Sequence, residues 1–129
     1  MMNTFGVGRF TRDPELKTTP NGTGVCEFSL AVNEYRKVNG ERKKFAHFFE
    51  FVVWDKAAEV IVEYCKKGDE LQVKATPRLD QWEHEGRKHS RVFFRVDEFE
   101  FGRKAARNET DYVPPVHDIE VQSKEPAPF

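Results

Sequence analysis

Apolar and polar residues alternate through most of the chain, and the alternation lays out strands. In "GVCEFSLAVNEYRK", Cys26, Phe28, Leu30 and Val32 fall on one face, and Glu27, Ser29, Ala31, Asn33 and Tyr35 on the other. Asn39-Gly40 follows, a strong hairpin signal because both residues tolerate positive φ. The chain then returns through "HFFEFVVW" (47–54) as the next strand. Upstream, "NTFGVGRF" reads as a first strand and "RDPELKTTPNGTG" as a connection rich in Pro, Gly and Thr. One segment changes period. "DKAAEVIVEYCKKGD" carries apolar residues at 57, 60, 61 and 64, the spacing of a helix face. Asp55 is its expected N-cap, Lys66 and Lys67 suit its negative C-terminal end, and Gly68 suits the position just past it. Strands resume with "ELQVKATPRLDQW", turn through "EHEGRKH" and finish with "SRVFFRVDEFEF". Alternation slips at Asp97-Glu98, which predicts a bulge or bend. Pro77 within the fourth strand predicts an edge or a bulge.

The predicted order is three strands, a helix and two more strands. A helix between strands 3 and 4 of five is the layout of an all-β OB-fold barrel, with a small sandwich carrying an inserted helix as the structural alternative. The barrel domain is expected over residues 1–103. Residues 104–129 hold four of the seven prolines and no long periodic stretch, so they are expected to form a disordered tail.

Composition narrows the class. Mean hydropathy is −0.72 and 33% of residues are charged, and no apolar run is long enough to span a membrane. Cys26 and Cys65 stand far apart and outside any CxxC pattern, which argues against a disulfide scaffold or zinc site. With no signal-peptide pattern at the N-terminus, a cytoplasmic protein is expected. Residues 1–107 carry 20 Lys/Arg against 17 Asp/Glu, a balance of +3; residues 108–129 carry one Lys against five Asp/Glu, or −4. A mildly basic body suggests a polyanion partner, although a difference this small is a weak signal.

The aromatic strand sharpens that suggestion. Phe48, Glu50, Val52 and Trp54 share one parity, and Phe49, Phe51 and Val53 the other. An unpaired buried carboxylate is costly, so Glu50 marks the wet face. The expectation is that Phe49, Phe51 and Val53 are core, and that Phe48 and Trp54 are displayed beside Tyr35. Arg36, Lys37, Lys43 and Lys44 lie close by in sequence. Exposed aromatics among cations form a nucleic-acid platform: every base has a face to stack, and Lys and Arg follow the phosphates. The competing reading buries Phe48 and Trp54 in a subunit interface or under the helix. Trp82, at the expected tip of the last hairpin, is a fourth candidate, flanked by Arg78, Arg87, Lys88 and Arg91 but diluted by Asp80, Glu83 and Glu85. Its competing role is a cap on the barrel end.

These stretches resemble the bacterial-type single-stranded DNA-binding (SSB) family. "VGRFTRDPELKTTPNGTGVCEFSLAVN", "FVVWDKAAEVIVEYCKKGDELQV" and the hairpin "QWEHEGRK" run in family order over about residues 5–101. The resemblance implies an OB-fold, sequence-independent binding of single-stranded DNA in replication, recombination and repair, and a homotetramer, with a dimer as the variant. It also implies a bacterial cytoplasmic protein associated with the nucleoid. Phe48 and Trp54 fall where the family has base-stacking aromatics, and Trp82 matches its hairpin tryptophan. Tyr35 lies one residue out of register with a further stacking site. Lys56, Lys67 and Arg78 match basic positions. Family members end in an acidic tip finishing Ile-Pro-Phe that docks on replication and repair proteins; this chain ends "KEPAPF", so Pro128 and Phe129 match while Ala127 and Lys124 depart. Pro77 and Asp80 depart too, where the family favours small and basic residues, which marks a divergent member.

Other chemistry has little support. His47, His84, His89 and His117 are scattered without metal or triad spacing, and no phosphate-binding loop is present, so neither an enzyme nor a cofactor is expected. A nuclease would need a carboxylate cluster the chain does not show. The remaining rival is an OB-fold adaptor of the primosome type, whose main ligand is protein.

Overall fold

The computed structural model describes residues 1–105. Seven elements follow one another: β1 (Thr4–Phe10), β2 (Lys17–Thr18), β3 (Gly24–Val38), β4 (Glu41–Trp54), α1 (Asp55–Tyr64), β5 (Glu70–His84) and β6 (Arg87–Phe101). The order across the sheet is β1-β5-β6-β4-β3-β2, and a further β1–β3 pairing at Arg9↔Ala31 and Phe10↔Leu30 closes the sheet on itself. The result is the five-stranded OB-fold barrel with one helix between the third and fourth long strands. β2 is a two-residue strand inside the stretch read from sequence as a plain connection.

Two long hairpins build most of the molecule. β3 and β4 turn at Asn39 and Gly40, with φ of 53° and 82°, the doubly left-handed turn expected of Asn-Gly. β5 and β6 turn at Glu85 and Gly86 in the same way, with φ of 52° and 74°. The hairpins meet along a short parallel seam, Phe51↔Phe94 and Val52↔Arg95. Beyond the seam each hairpin runs on as an arm. The expected bulge is present: pairing jumps from Lys74↔Glu98 to Ala75↔Val96, leaving Asp97 as the extra residue. Its carboxylate accepts from the Thr76 hydroxyl at 2.6 Å and from Arg95 Nε at 3.3 Å. Among the described residues the β1–β5 register ends at Ala75, so Pro77 sits where β5 pairs with β6 alone, an edge as expected.

The core lies inside the barrel. Phe10 and Phe28 are 5.0 Å apart by ring centroid, and Phe28 stacks on Phe51 at 5.5 Å. Val53, Leu71, Val73 and Val96 fill in around them, and Ala57, Ala58 and Ile61 of α1 close the barrel's end. Gly8 lets β1 cross close to β3: a Cβ there would lie 2.9 Å from the Leu30 Cβ and 3.0 Å from the Ala31 carbonyl oxygen. Cys26 and Cys65 are both buried.

The helix ends differ from expectation. Asp55 does not cap α1; it is its first residue, at φ 58°, and the preceding Trp54 makes no side-chain cap. The helix stops at Tyr64, so Lys66 and Lys67 lie beyond it. Gly68 is left-handed as expected, but it serves the turn into β5, where its N–H donates to the Phe10 carbonyl at 2.8 Å.

The next turn holds a buried acid. Asp69, 2% exposed, accepts from the N–H groups of Lys66 at 2.8 Å and Ala105 at 2.9 Å, and pairs with Lys104 Nζ at 3.2 Å. Lys104 Nζ also donates to the Tyr64 carbonyl. Glu70 continues the fastening: its N–H donates to the Arg103 carbonyl, and its carbonyl accepts from Gly102. Lys104 and Ala105 are thus tied to the barrel. Burial alone would raise the Asp69 pKa, but the Ala105 and Lys66 N–H groups and the Lys104 ammonium outweigh it and hold it below the usual carboxylate value.

Candidate nucleic-acid interface

Residues opposite one another across a ladder share a face. In β3 and β4 the pairs Tyr35↔Lys44, Ala31↔Phe48 and Ser29↔Glu50 therefore lie on one side. The seam pair Val52↔Arg95 carries that side onto β6, and Phe93↔Arg78, Arg91↔Asp80 and His89↔Trp82 carry it onto β5. One continuous outer surface thus runs from the β3–β4 arm to the tip of the β5–β6 arm. Phe48 stands on it 66% exposed, Tyr35 54% and Trp82 44%.

Cations accompany the aromatics. Arg42 lies over the Tyr35 ring at 4.5 Å, and Lys44 is the cross-strand partner of Tyr35. Trp82 is stacked on His89, centroids 5.6 Å apart and planes 20° apart, with His84 beyond at 6.5 Å from His89. Arg78 and Arg87 are exposed on the same hairpin. Arg91 is engaged by Glu50 at 3.1 Å and Asp80 at 3.5 Å.

Several expected residues lie elsewhere. Trp54 is not displayed: it is 1% exposed, packed with Val25, Val52 and Phe93. Its parity is the outer one, but β3 and β6 cover that side at the barrel's base. Phe49 is the converse, of core parity yet 40% exposed, because it lies past the seam where the barrel interior opens. There it packs edge-on against Phe94 at 5.9 Å. Arg36 and Lys43 face each other on the opposite side of the arm from Phe48. Arg36 stacks over Phe45 at 3.9 Å and pairs with Glu34 at 3.6 Å. Lys56 is exposed on α1, and Lys67 lies in the turn beyond the helix, where its N–H donates to Asp13 at 2.7 Å; neither belongs to the sheet surface. Pro128 and Phe129 lie outside the described residues.

Sequence reading missed Arg42, His89 and the Arg91 ion pairs. Parity through the Asn39-Gly40 turn pairs Lys37 with Arg42 and so could have found Arg42. The Arg91–Glu50 contact depends on register between two hairpins, which no local pattern carries. Among the described residues, no group of three or more His, Cys, Asp or Glu could hold a metal ion, and no helix is long and apolar enough to cross a membrane.

A closed OB barrel with exposed aromatics and cations on its outer sheet defines a class of small oligomer- or strand-binding modules. Sequence comparison makes the assignment specific. Residues 1–102 match the Single-strand binding protein family, and the chain belongs to that family of DNA-binding proteins, which are not enzymes. It is 35% identical to a single-stranded DNA-binding protein of Aquifex aeolicus, over 97% of this chain and 90% of that one. It is 42% identical to one of Treponema pallidum, over 67% of this chain and 49% of the relative. It is 43% identical to one of Bacillus cereus, over 72% and 54%. The chain thus spans about half the length of the last two. A solved Plasmodium falciparum SSB, in complex with ssDNA, shares the fold with a TM-score of 0.69 at 23% identity, over 78% of this chain and 94% of that one.

Proposed function

We propose that this chain binds single-stranded DNA without reading its sequence, as a non-catalytic coat for exposed strands in replication, recombination and repair. The observation that carries the reading is the continuous outer surface on which Phe48, Tyr35 and Trp82 stand exposed among Arg42, Lys44, Arg78 and Arg87. Bases stack on the rings, the cations follow the backbone, and neither requires base-edge recognition. The relatives named for single-stranded DNA binding support it. The test is fluorescence titration with oligo-dT at two salt concentrations. Trp82 emission should quench on binding, and affinity should fall as salt rises. Absence of both quenching and a gel shift sinks the proposal.

Self-association belongs to the same reading. Phe5 and Val7 are exposed on β1, whose Thr4–Val7 stretch pairs only with β5 among the described residues. Leu79 and Val92 form an exposed apolar pair on the other side of the β5–β6 arm from Trp82. Such surfaces suit a second copy of the chain, in keeping with a homotetramer or dimer. The domain is taken as residues 1–103. The tail is taken as the recruiting segment, with Pro128 and Phe129 as its hook for replication and repair proteins.

One observation favours the adaptor reading. Glu27, Glu50 and Asp80 stand on the surface that would meet phosphates. A protein-binding module would show feeble DNA affinity, and Phe48→Ala would cost it a protein partner rather than DNA.

A further inference from the structure

Arg91 occupies the middle of the outer surface. On β5, Asp80 is two residues from Trp82; on β4, Glu50 is two residues from Phe48; on β6, Arg91 is two residues from His89, which stacks on Trp82. Residues two apart on a strand share a face. A strand of DNA with bases on both Phe48 and Trp82 therefore passes over Arg91. Its guanidinium is already taken: Nη1 donates to Glu50 Oε2 at 3.1 Å, and Nε lies 3.5 Å from Asp80 Oδ2. Two carboxylates hold this guanidinium at the centre of a path meant for a polyanion, so its charge is neutralised before DNA arrives. Arg12 and Glu27 line the same cleft.

Resting on the single-strand reading, we infer that Arg91 is a further phosphate contact of this surface, held in reserve by Glu50 and Asp80, whose carboxylates an incoming phosphate displaces. Displacement is feasible because all three side chains reach solvent, where ion pairs contribute little to stability. A phosphate offers the same planar fork an acceptor pair that a carboxylate does. The exchange makes binding weaker than the number of cations implies, since Arg91 contributes to attraction only after the carboxylates let go. Glu50 and Asp80 thus set the affinity of the surface, and Arg91 is the group through which they set it.

The full chain with Glu50→Gln and Asp80→Asn, titrated with oligo-dT across a salt series, tests this. The double variant should bind severalfold more tightly than the native chain, with a log–log salt slope steeper by about 0.7, because in the native chain the carboxylates freed from Arg91 take up cations that offset those the phosphate releases. Arg91→Ala alone should change the native slope little; added to the double variant, it should remove both gains. Glu50→Gln alone should give part of the gain, should the double variant fold poorly by thermal melting. A gain that survives Arg91→Ala reflects general loss of negative charge and overturns the inference, as does a double variant that binds like the native chain. A native chain that binds no oligo-dT overturns the strand-binding reading itself, and is told apart by that single titration.

Discussion

Phe48 and Trp54 share a parity and a strand, yet only Phe48 reaches solvent, and this decides which tryptophan reports on binding. Trp54→Phe should leave the oligo-dT-induced quench in place, whereas Trp82→Phe should remove most of it. Phe48→Ala and Trp82→Ala should each cost about 1–3 kcal/mol of oligo-dT affinity, measured by anisotropy, with little change in melting temperature. Asp69 makes the opposite kind of prediction. Its carboxyl is held below the usual value in the folded chain, so its contribution is complete above the unfolded pKa of about 4 and is lost as pH falls through the lower folded value. Acid unfolding should therefore begin below about pH 4 and be blunted in Asp69→Asn, which should already be destabilised by about 2 kcal/mol at neutral pH. Denaturant melts at pH 7 and pH 3 read both effects. Burial pushes the Cys26 thiol up to about 11, so alkylating reagents at neutral pH should leave it unmodified until the chain unfolds.

Elements were legible where local chemistry decides them. Asn39-Gly40 located the first hairpin, the slip at Asp97-Glu98 located the bulge, and the change of period located α1. The failures have a common physical cause. Alternation names two faces of a strand but says nothing of where along its length neighbours begin or end. Phe49 lies past the seam that closes the barrel, so its inward face opens to solvent; Trp54 lies at the base, where Val25 and Phe93 cover its outward face. Helix ends failed similarly: Lys66, Lys67 and Gly68 look like a helix terminus, but the requirement to bring Gly68 to the Phe10 carbonyl ends the helix at Tyr64. Gly8 also belongs to this scale. Gly8→Ala forces β1 away from β3 at a contact of 2.9 Å and should cost about 1–3 kcal/mol in a denaturant melt.

At the scale of the whole molecule, the site is shared between two hairpins. The exposed aromatics Tyr35, Phe48 and Trp82 were readable one strand at a time, but the salt link across the arms was not, because Glu50 and Arg91 are 41 residues apart. Self-association should be visible by light scattering as a mass well above the 15.1 kDa of one chain. Charge on Phe5, as in Phe5→Asp, should lower that mass while leaving the melting of the barrel nearly unchanged, because the side chain is exposed within one chain. A native chain that scatters as a monomer ends the oligomer proposal.

The seam has a consequence for the speed of folding. Each hairpin closes around a local turn, but Phe51↔Phe94 and Val52↔Arg95 join parts of the chain 43 residues apart through only two residue pairs. Loop closure over that distance must precede any reward from the contact. The two hairpins should therefore assemble first and dock last. Substituting Gly40 with Ala, where φ is 82°, should slow refolding. Trimming Val52 to Ala should instead speed unfolding and leave the refolding rate almost untouched. Stopped-flow chevrons for the two variants measure that contrast, and the barrel's lifetime as a closed object rests on ladders of two pairs each, this seam and the β1–β3 closure.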